Sequence, residues 1–263
     1  MVALIPPRTD TLPEGPLLAA RLLVLYPLWP GLLGFARVQP DVTAFGWLEW
    51  TERVSDVVWL GFSALYLGCV VALWLGRFAS AAAALAGSII LAGPLVDLAD
   101  YSNNRILVGL VLVLLGLFDE RWGLWPIRLQ LSLMYAAAAL NKVLDADWRD
   151  GTFIENWTGE VLDLRVYGAV RDAWSGADRV VGWSAFVVEA ALAVLFLVES
   201  RTRWAIGAAL GFHLGMLAFT EGEISWLFAY GVGATLVAFV RPRSPWPYLA
   251  ALVGLRVVEL VVS

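Results

Sequence analysis

The chain has 263 residues but only one cysteine (Cys69), one histidine (His213) and one lysine (Lys142). One cysteine excludes a disulfide framework. One cysteine and one histidine cannot furnish a typical zinc ligand set, so no metal is expected. Only 16% of the residues are charged, against about 25% in ordinary soluble domains, and 60% are hydrophobic, with a mean hydropathy of +0.75. That balance excludes a disordered chain and an ordinary soluble domain. A net charge of −5 removes the basic footprint of a nucleic-acid partner. There is no Ser-His-Asp context, no phosphate-binding loop and no GxGxxG turn after a strand.

What remains is apolar sequence in helix-length runs. A spanning helix needs roughly 20 mostly apolar residues. Such runs lie near 17–36, 57–76, 79–98, 106–118, 128–144, 180–198, 204–220, 225–240 and 246–262. The expected fold is therefore all-α: a polytopic transmembrane helical bundle of about nine spans in a single domain, 1–263. The first run is interrupted by Arg21, Pro27 and Pro30, the fourth is short, and the last contains Arg256 and Glu259. Eight spans plus an interfacial helix is the alternative. Pro6, Pro7, Pro13 and Pro16 break the stretch where a cleavable leader would lie, so the first run is expected to stay as an anchor.

Arginines in the short loops set the orientation. Nine spans place Arg8, Arg77, Arg121, Arg128, Arg201, Arg203, Arg241 and Arg243 on one side; Asp97, Asp100, Arg105, Glu221 and Glu223 fall opposite. The N-terminus is then cytoplasmic and the acidic side faces out. Segment 145–179 lies on the outer side. Its Leu162, Val166, Val170 and Trp174 repeat every four residues, which predicts an amphipathic helix lying in the interface as a roof.

Four ionisable positions lie at membrane depth, where each costs about 2.5–3.5 kcal/mol unless it is partnered or functional. Glu189 is mid-span, and a structural partner such as Arg21 suits it as well as a catalytic role. Lys142 ends the fifth run, beside Asn141; the simplest fate of a lysine there is to snorkel to the headgroups. His213 lies past the middle of the seventh run and serves either as an interhelical hydrogen-bonding group or as a ligand contact. Arg256 and Glu259, at i,i+3 spacing, neutralise each other.

Two polar clusters adjoin these positions. One runs Asp97-Leu-Ala-Asp100-Tyr101-Ser102-Asn103-Asn104-Arg105. The other contains Tyr135, four alanines, Asn141, Lys142 and the turn Asp145-Ala-Asp147-Trp148-Arg149-Asp150-Gly151. Helix capping explains much of the first, and an interfacial aromatic belt accounts for Trp148. The alanine run leaves a small-residue face that a helix or a flat ligand can approach.

Arg128-Leu-Gln130, Tyr135, Asn141-Lys142 and the Asp-Ala-Asp-Trp-x-x-Gly turn resemble the HTTM (horizontally transferred transmembrane) domain family, whose best-known member is the vitamin K-dependent γ-carboxylase. The turn at Tyr101–Asn104 with Asp97, the acid Glu189 before Glu199-Ser-Arg, and Phe212-His213 are similar too. The resemblance runs from about 90 to 240. It implies a multi-pass enzyme that oxygenates a reduced quinone to its epoxide, generating a strong base that removes a glutamate γ-proton before carbon dioxide adds. It also implies that Lys142 is the catalytic base that deprotonates the hydroquinone.

A free lysine has a pKa of about 10.4 and must be neutral to act as a base, which a desolvating pocket favours. The same resemblance makes His213, Asn103, Asn104, Tyr101, Tyr135 and Asn141 candidates for holding the quinone. Asp97, Asp100, Arg105, Asp147, Trp148, Gly151 and Glu189 become polar or structural support. Nothing is expected to be bound covalently; a quinol of the vitamin K or menaquinol type is the cosubstrate, with oxygen and, for carboxylation, carbon dioxide.

Two departures limit the analogy: no soluble C-terminal domain is expected, and Arg105 stands where the carboxylase has histidine. The resemblance therefore implies the fold and a quinone pocket, and not peptide recognition. The expected setting is a prokaryotic plasma membrane with the site facing outward, and the expected partners are the bilayer, a quinone and a peptide or small membrane protein. The rival readings are a non-catalytic binding, export or immunity partner of the same fold and, further off, a transporter.

Overall fold

A computed structural model describes residues 12–28, 56–96, 103–118, 122–161, 164–220 and 225–240, with a few positions between 244 and 254. Every element among them is helical: α1 (Glu14–Leu23), α2 (Asp56–Leu75), α3 (Ala79–Val96), α4 (Asn103–Gly116), α5 (Trp125–Leu144), α6 (Ala146–Asp150), α7 (Thr152–Asn156), α8 (Arg165–Ala173), α9 (Ala177–Leu197), α10 (Thr202–Phe219) and α11 (Ser225–Leu236). Helices α2 to α5 and α9 to α11 fall within a few residues of the apolar runs. At 21 residues, α9 is about 31 Å long, which matches a hydrocarbon core of about 30 Å. It alone among the described helices is long and apolar enough to cross a membrane; the apolar stretches of α2, α3, α4 and α11 are shorter.

The N-terminal run, 17–36, is not one unbroken α-helix. Helix α1 ends at Leu23 and a 3₁₀ turn covers Tyr26–Leu28; Pro27, four residues past Leu23, cannot donate to the Leu23 carbonyl to continue the helix. Residues 29–36 of the first expected span and most of the last, 246–262, including Arg256 and Glu259, lie outside the described residues, as do Asp97, Asp100 and Tyr101.

The chain divides into two compact units, residues 1–127 with 233–249 and residues 128–232 with 250–263. In the first, α3 and α4 pack at backbone distance. A Cβ on Gly87 would stand 2.5 Å from the Gly109 carbonyl oxygen and 2.7 Å from the Val113 nitrogen. Close small-residue crossings of this kind are how helices associate where no water drives them together. Arg21 closes the C-terminus of α2, donating to the carbonyls of Leu73 (2.9 Å) and Trp74 (3.2 Å), while the Tyr66 hydroxyl donates to Val24 O at 2.7 Å. The last four α2 carbonyls have no partner within the helix; the N–H groups of Arg77 and Gly76 reach Ala72 O and Leu73 O, and the guanidinium adds donors to Leu73 O and Trp74 O. Arg21 is therefore a helix cap and not the partner of Glu189.

In the second unit the outward faces are apolar and bare: Leu133, Val187, Val194, Trp204 and Leu214 are all more than half exposed. Apolar exposure on this scale suits a lipid surface. The α3–α4 crossing yields a direct expectation. Gly87→Val should lower stability by about 1–3 kcal/mol through overpacking, seen as a drop in thermal unfolding temperature in detergent. An equal substitution at Gly61, where a Cβ meets nothing within 4 Å, should leave it unchanged.

Candidate functional site

The site is confined to the second unit. On α5, Arg128, Ser132, Tyr135, Ala139 and Lys142 are spaced 4, 3, 4 and 3 residues apart, so they share one helical face. On α9, Gly182, Glu189, Ala193 and Phe196 do the same. Helix α10 turns Ala205, Ala209 and His213 inward at four-residue spacing.

The first two α5 side chains fix the α5–α9 register through backbone carbonyls. Arg128 donates from Nε to Phe196 O (2.9 Å) and from an η nitrogen to Leu197 O (3.0 Å); the Ser132 hydroxyl donates to Ala193 O at 2.7 Å. A cation on the carbonyl end of a helix is also favoured by its dipole. The Arg128–Glu199 contact is long, at 3.6 Å, and Glu199 is almost fully exposed, so it adds little. Loop charge alone does not reveal this role for Arg128; its place in the 128–132–135–142 pattern is the signal that marks its inward face.

Further along the same face, the Tyr135 hydroxyl and His213 Nε2 share a hydrogen bond of 2.7 Å, and the Tyr135 ring lies parallel to that of Phe196 at 5.9 Å. Both residues of the hydrogen bond are buried. Here His213 is an interhelical hydrogen-bonding group.

Two helical turns beyond Tyr135, Lys142 Nζ donates to Glu189 Oε1 at 2.9 Å and stands 2.8 Å from Oε2. The side chains are only 13% and 9% exposed. The direction of the lysine has a simple cause. Side chains on a helix lean toward its N-terminus, and Lys142 ends its helix, so leaning back carries the ammonium into the bundle and away from the helix end. It pairs with Glu189 and does not snorkel. Buried Glu189 Oε2 nonetheless has no aligned hydrogen-bond donor among the described residues, because Nζ approaches it off the bonding direction.

The turn after Lys142 builds the cover. Asp145 caps α6 by accepting from the Asp147 N–H at 3.0 Å. Gly151 has φ +97°, a left-handed conformation that lets the chain reverse into α7. A Cβ there would also stand 2.8 Å from the Arg179 nitrogen. Asp150 accepts from Thr152 N–H at 3.0 Å, and that bond holds its carboxyl below the usual carboxylate range. These constraints place the Trp148 ring 4.4 Å from Lys142 Nζ and stack it on Phe153 with centroids 4.2 Å apart. The motif residues thus shape a turn whose output is an aromatic face over the ammonium.

Segment 145–179 folds as α6, α7, a π turn at Trp157–Val161, and α8, and α8 covers Val166 and Val170 in the middle of the expected stripe, with Trp174 at its C-cap. Leu162 lies outside the described residues, nothing is described of the Val166 side chain, and Val170 and Trp174 are exposed. A small core of Ile154, Leu164, Tyr167 and Ala177, with Trp148, Phe153, Val181 and Phe219 against it, holds the roof. The Tyr167 hydroxyl donates to Asp178 at 2.7 Å.

Asn141 and Asp147 are exposed, and of the four alanines only Ala139 is buried. Asn103, Asn104 and Arg105 open α4 in the first unit, where Asn104 Oδ1 is buried without a hydrogen-bond partner among the described residues.

Removing one member of a buried ion pair strands the other, which typically costs about 3–5 kcal/mol. Lys142→Met should therefore destabilise the protein by about 3 kcal/mol, and adding Glu189→Gln should recover most of that loss. Thermal unfolding of the two singles and the double measures the coupling; additive losses would show that the pair contributes nothing.

No curated protein and no solved structure matches the chain. Residues 119–242, which carry α5 to α11 and both buried pairs, match the HTTM domain family.

Proposed function

We propose that this protein is an integral membrane protein of the prokaryotic plasma membrane that binds a reduced quinone and uses Lys142 to take a hydroxyl proton from it, in oxygen-dependent chemistry of the epoxidase or γ-carboxylase kind. The HTTM match supports a γ-carboxylase-like membrane family. In this reading about nine helices cross the bilayer, the N-terminus is cytoplasmic, and the roof and Lys142 face outward. That orientation follows from the arginine-rich loops.

The observation that carries the proposal is the Lys142–Glu189 pair buried beneath Trp148. A membrane protein that needed Lys142 only as an interfacial anchor would gain by turning it outward, since burial of two charges must be offset by their attraction. Holding a proton-transfer group in a dry, aromatic-covered position is the arrangement proton abstraction calls for. The quinone is a cosubstrate; oxygen and, for carboxylation, carbon dioxide and an acceptor peptide complete the reaction.

A second reading, a non-catalytic partner of the same fold, draws on the same pair: an ammonium bonded to a carboxylate is also a satisfied structural link between α5 and α9. Lys142→Arg separates the two. Arginine keeps the charge and the bond but does not give up its proton. The wild-type protein in nanodiscs with vitamin K hydroquinone or menaquinol and oxygen should yield the epoxide, detected by mass spectrometry. Lys142→Arg should reduce that yield about 100-fold or more. Equal turnover by the variant, or no epoxide from wild type, defeats the catalytic reading.

A further inference from the structure

We infer that Glu189 is the proton-holding partner of Lys142: it takes Lys142's own proton and so frees the amine to accept one from the substrate hydroxyl. The inference rests on the hydroquinone reading above and concerns the same pair.

An ammonium has no lone pair, so a lysine 2.8–2.9 Å from both oxygens of a carboxylate is not a base as it stands. The pair has, however, a second protonation arrangement of equal net charge. Moving one proton along the 2.9 Å Nζ–Oε1 hydrogen bond turns ammonium and carboxylate into amine and carboxylic acid. In water the charged form wins easily. Where both side chains are nine-tenths buried or nearly so, separated charges must be kept without solvent, which narrows that advantage.

The hydrogen bonds around Glu189 point the same way. A carboxylate offers about four acceptor sites, and buried polar groups are normally satisfied. Glu189 has one aligned donor, on Oε1, while Oε2 has none among the described residues. The acid form has less unmet demand than the anion in this setting.

The step balances. In the amine–acid form the substrate O–H bond breaks; its proton forms a new N–H bond on Lys142, and its electron pair stays on the substrate oxygen as an aryloxide. Lys142 is again an ammonium, now facing the aryloxide, and Glu189 keeps the proton it received. One positive and one negative charge remain in the site at the start and at the end, with the negative charge moved from Glu189 to the substrate. Trp148 over the ammonium supports it in both states. Glu189 acts through Lys142 and positions a proton; it need not touch the substrate.

The test is infrared difference spectroscopy of the whole protein in nanodiscs, before and after adding vitamin K hydroquinone without oxygen. Binding should produce a carboxylic-acid carbonyl band that shifts in D2O. The band should be missing in Glu189→Gln, which is isosteric but holds no proton, and in Lys142→Arg, which releases none. Retained hydroquinone binding by the variants confirms that they are folded. Epoxide formation by Glu189→Gln should fall about 100-fold. Hydroquinone bound to wild type with no such band overturns the inference alone, and a band persisting in Lys142→Arg overturns transfer through the lysine. A wild-type protein that binds no hydroquinone overturns this inference together with the function it rests on.

Discussion

An ammonium and a carboxylate, bonded at 2.8–2.9 Å between α5 and α9 and largely removed from solvent, place a demand on everything around them in the second unit. Two charges in an apolar bundle persist only if their geometry is held well enough to offset desolvation. The Arg128 and Ser132 bonds to the last carbonyls of α9 lock the register of the two helices at one end. The Asp145-to-Gly151 turn seats Trp148 on the pair at the other. Tyr135 and His213 tie α10 to the same face of α5. Each contact limits the freedom of the ion pair.

The pairing also changes what the lysine can do. An isolated buried amine serves as a base if desolvation alone keeps it neutral. In the proposed mechanism a lysine held against a carboxylate is instead half of a two-site proton store, whose basic form depends on where one proton sits. In the proposed reaction Glu189 is as consequential as Lys142, and α5 and α9 each supply one member of the pair.

Much of the helical layout is legible in the sequence because hydropathy reports burial or lipid contact directly, and both demand internally satisfied backbone. Boundaries of α2 to α5 and α9 to α11 follow from runs of apolar residues ended by glycine, proline or charge. Hydropathy does not show the break inside the N-terminal run, where α1 ends at Leu23 and a 3₁₀ turn carries Pro27. In the 145–179 segment, the four-residue period of Leu162, Val166, Val170 and Trp174 suggests one interfacial helix. Helix α8 covers the middle of that stripe, while Gly151 and the π turn at Trp157–Val161 break the backbone ahead of it.

The sequence by itself determined that the chain is helical and apolar enough for a bilayer, that Lys142 and Glu189 are conspicuous at that depth, and that an Asp-Ala-Asp-Trp-x-x-Gly turn follows the lysine. Composition and local spacing carry this information, because helix faces and caps are set within a few residues. Only the tertiary structure decided who meets whom. Glu189 lies 47 positions from Lys142 and His213 lies 78 from Tyr135. Arg21, a suitable partner for Glu189 by charge, is spent on the carbonyls of α2. Charge says that a partner is needed; helix register, and the backward lean of a lysine at the end of its helix, select which one.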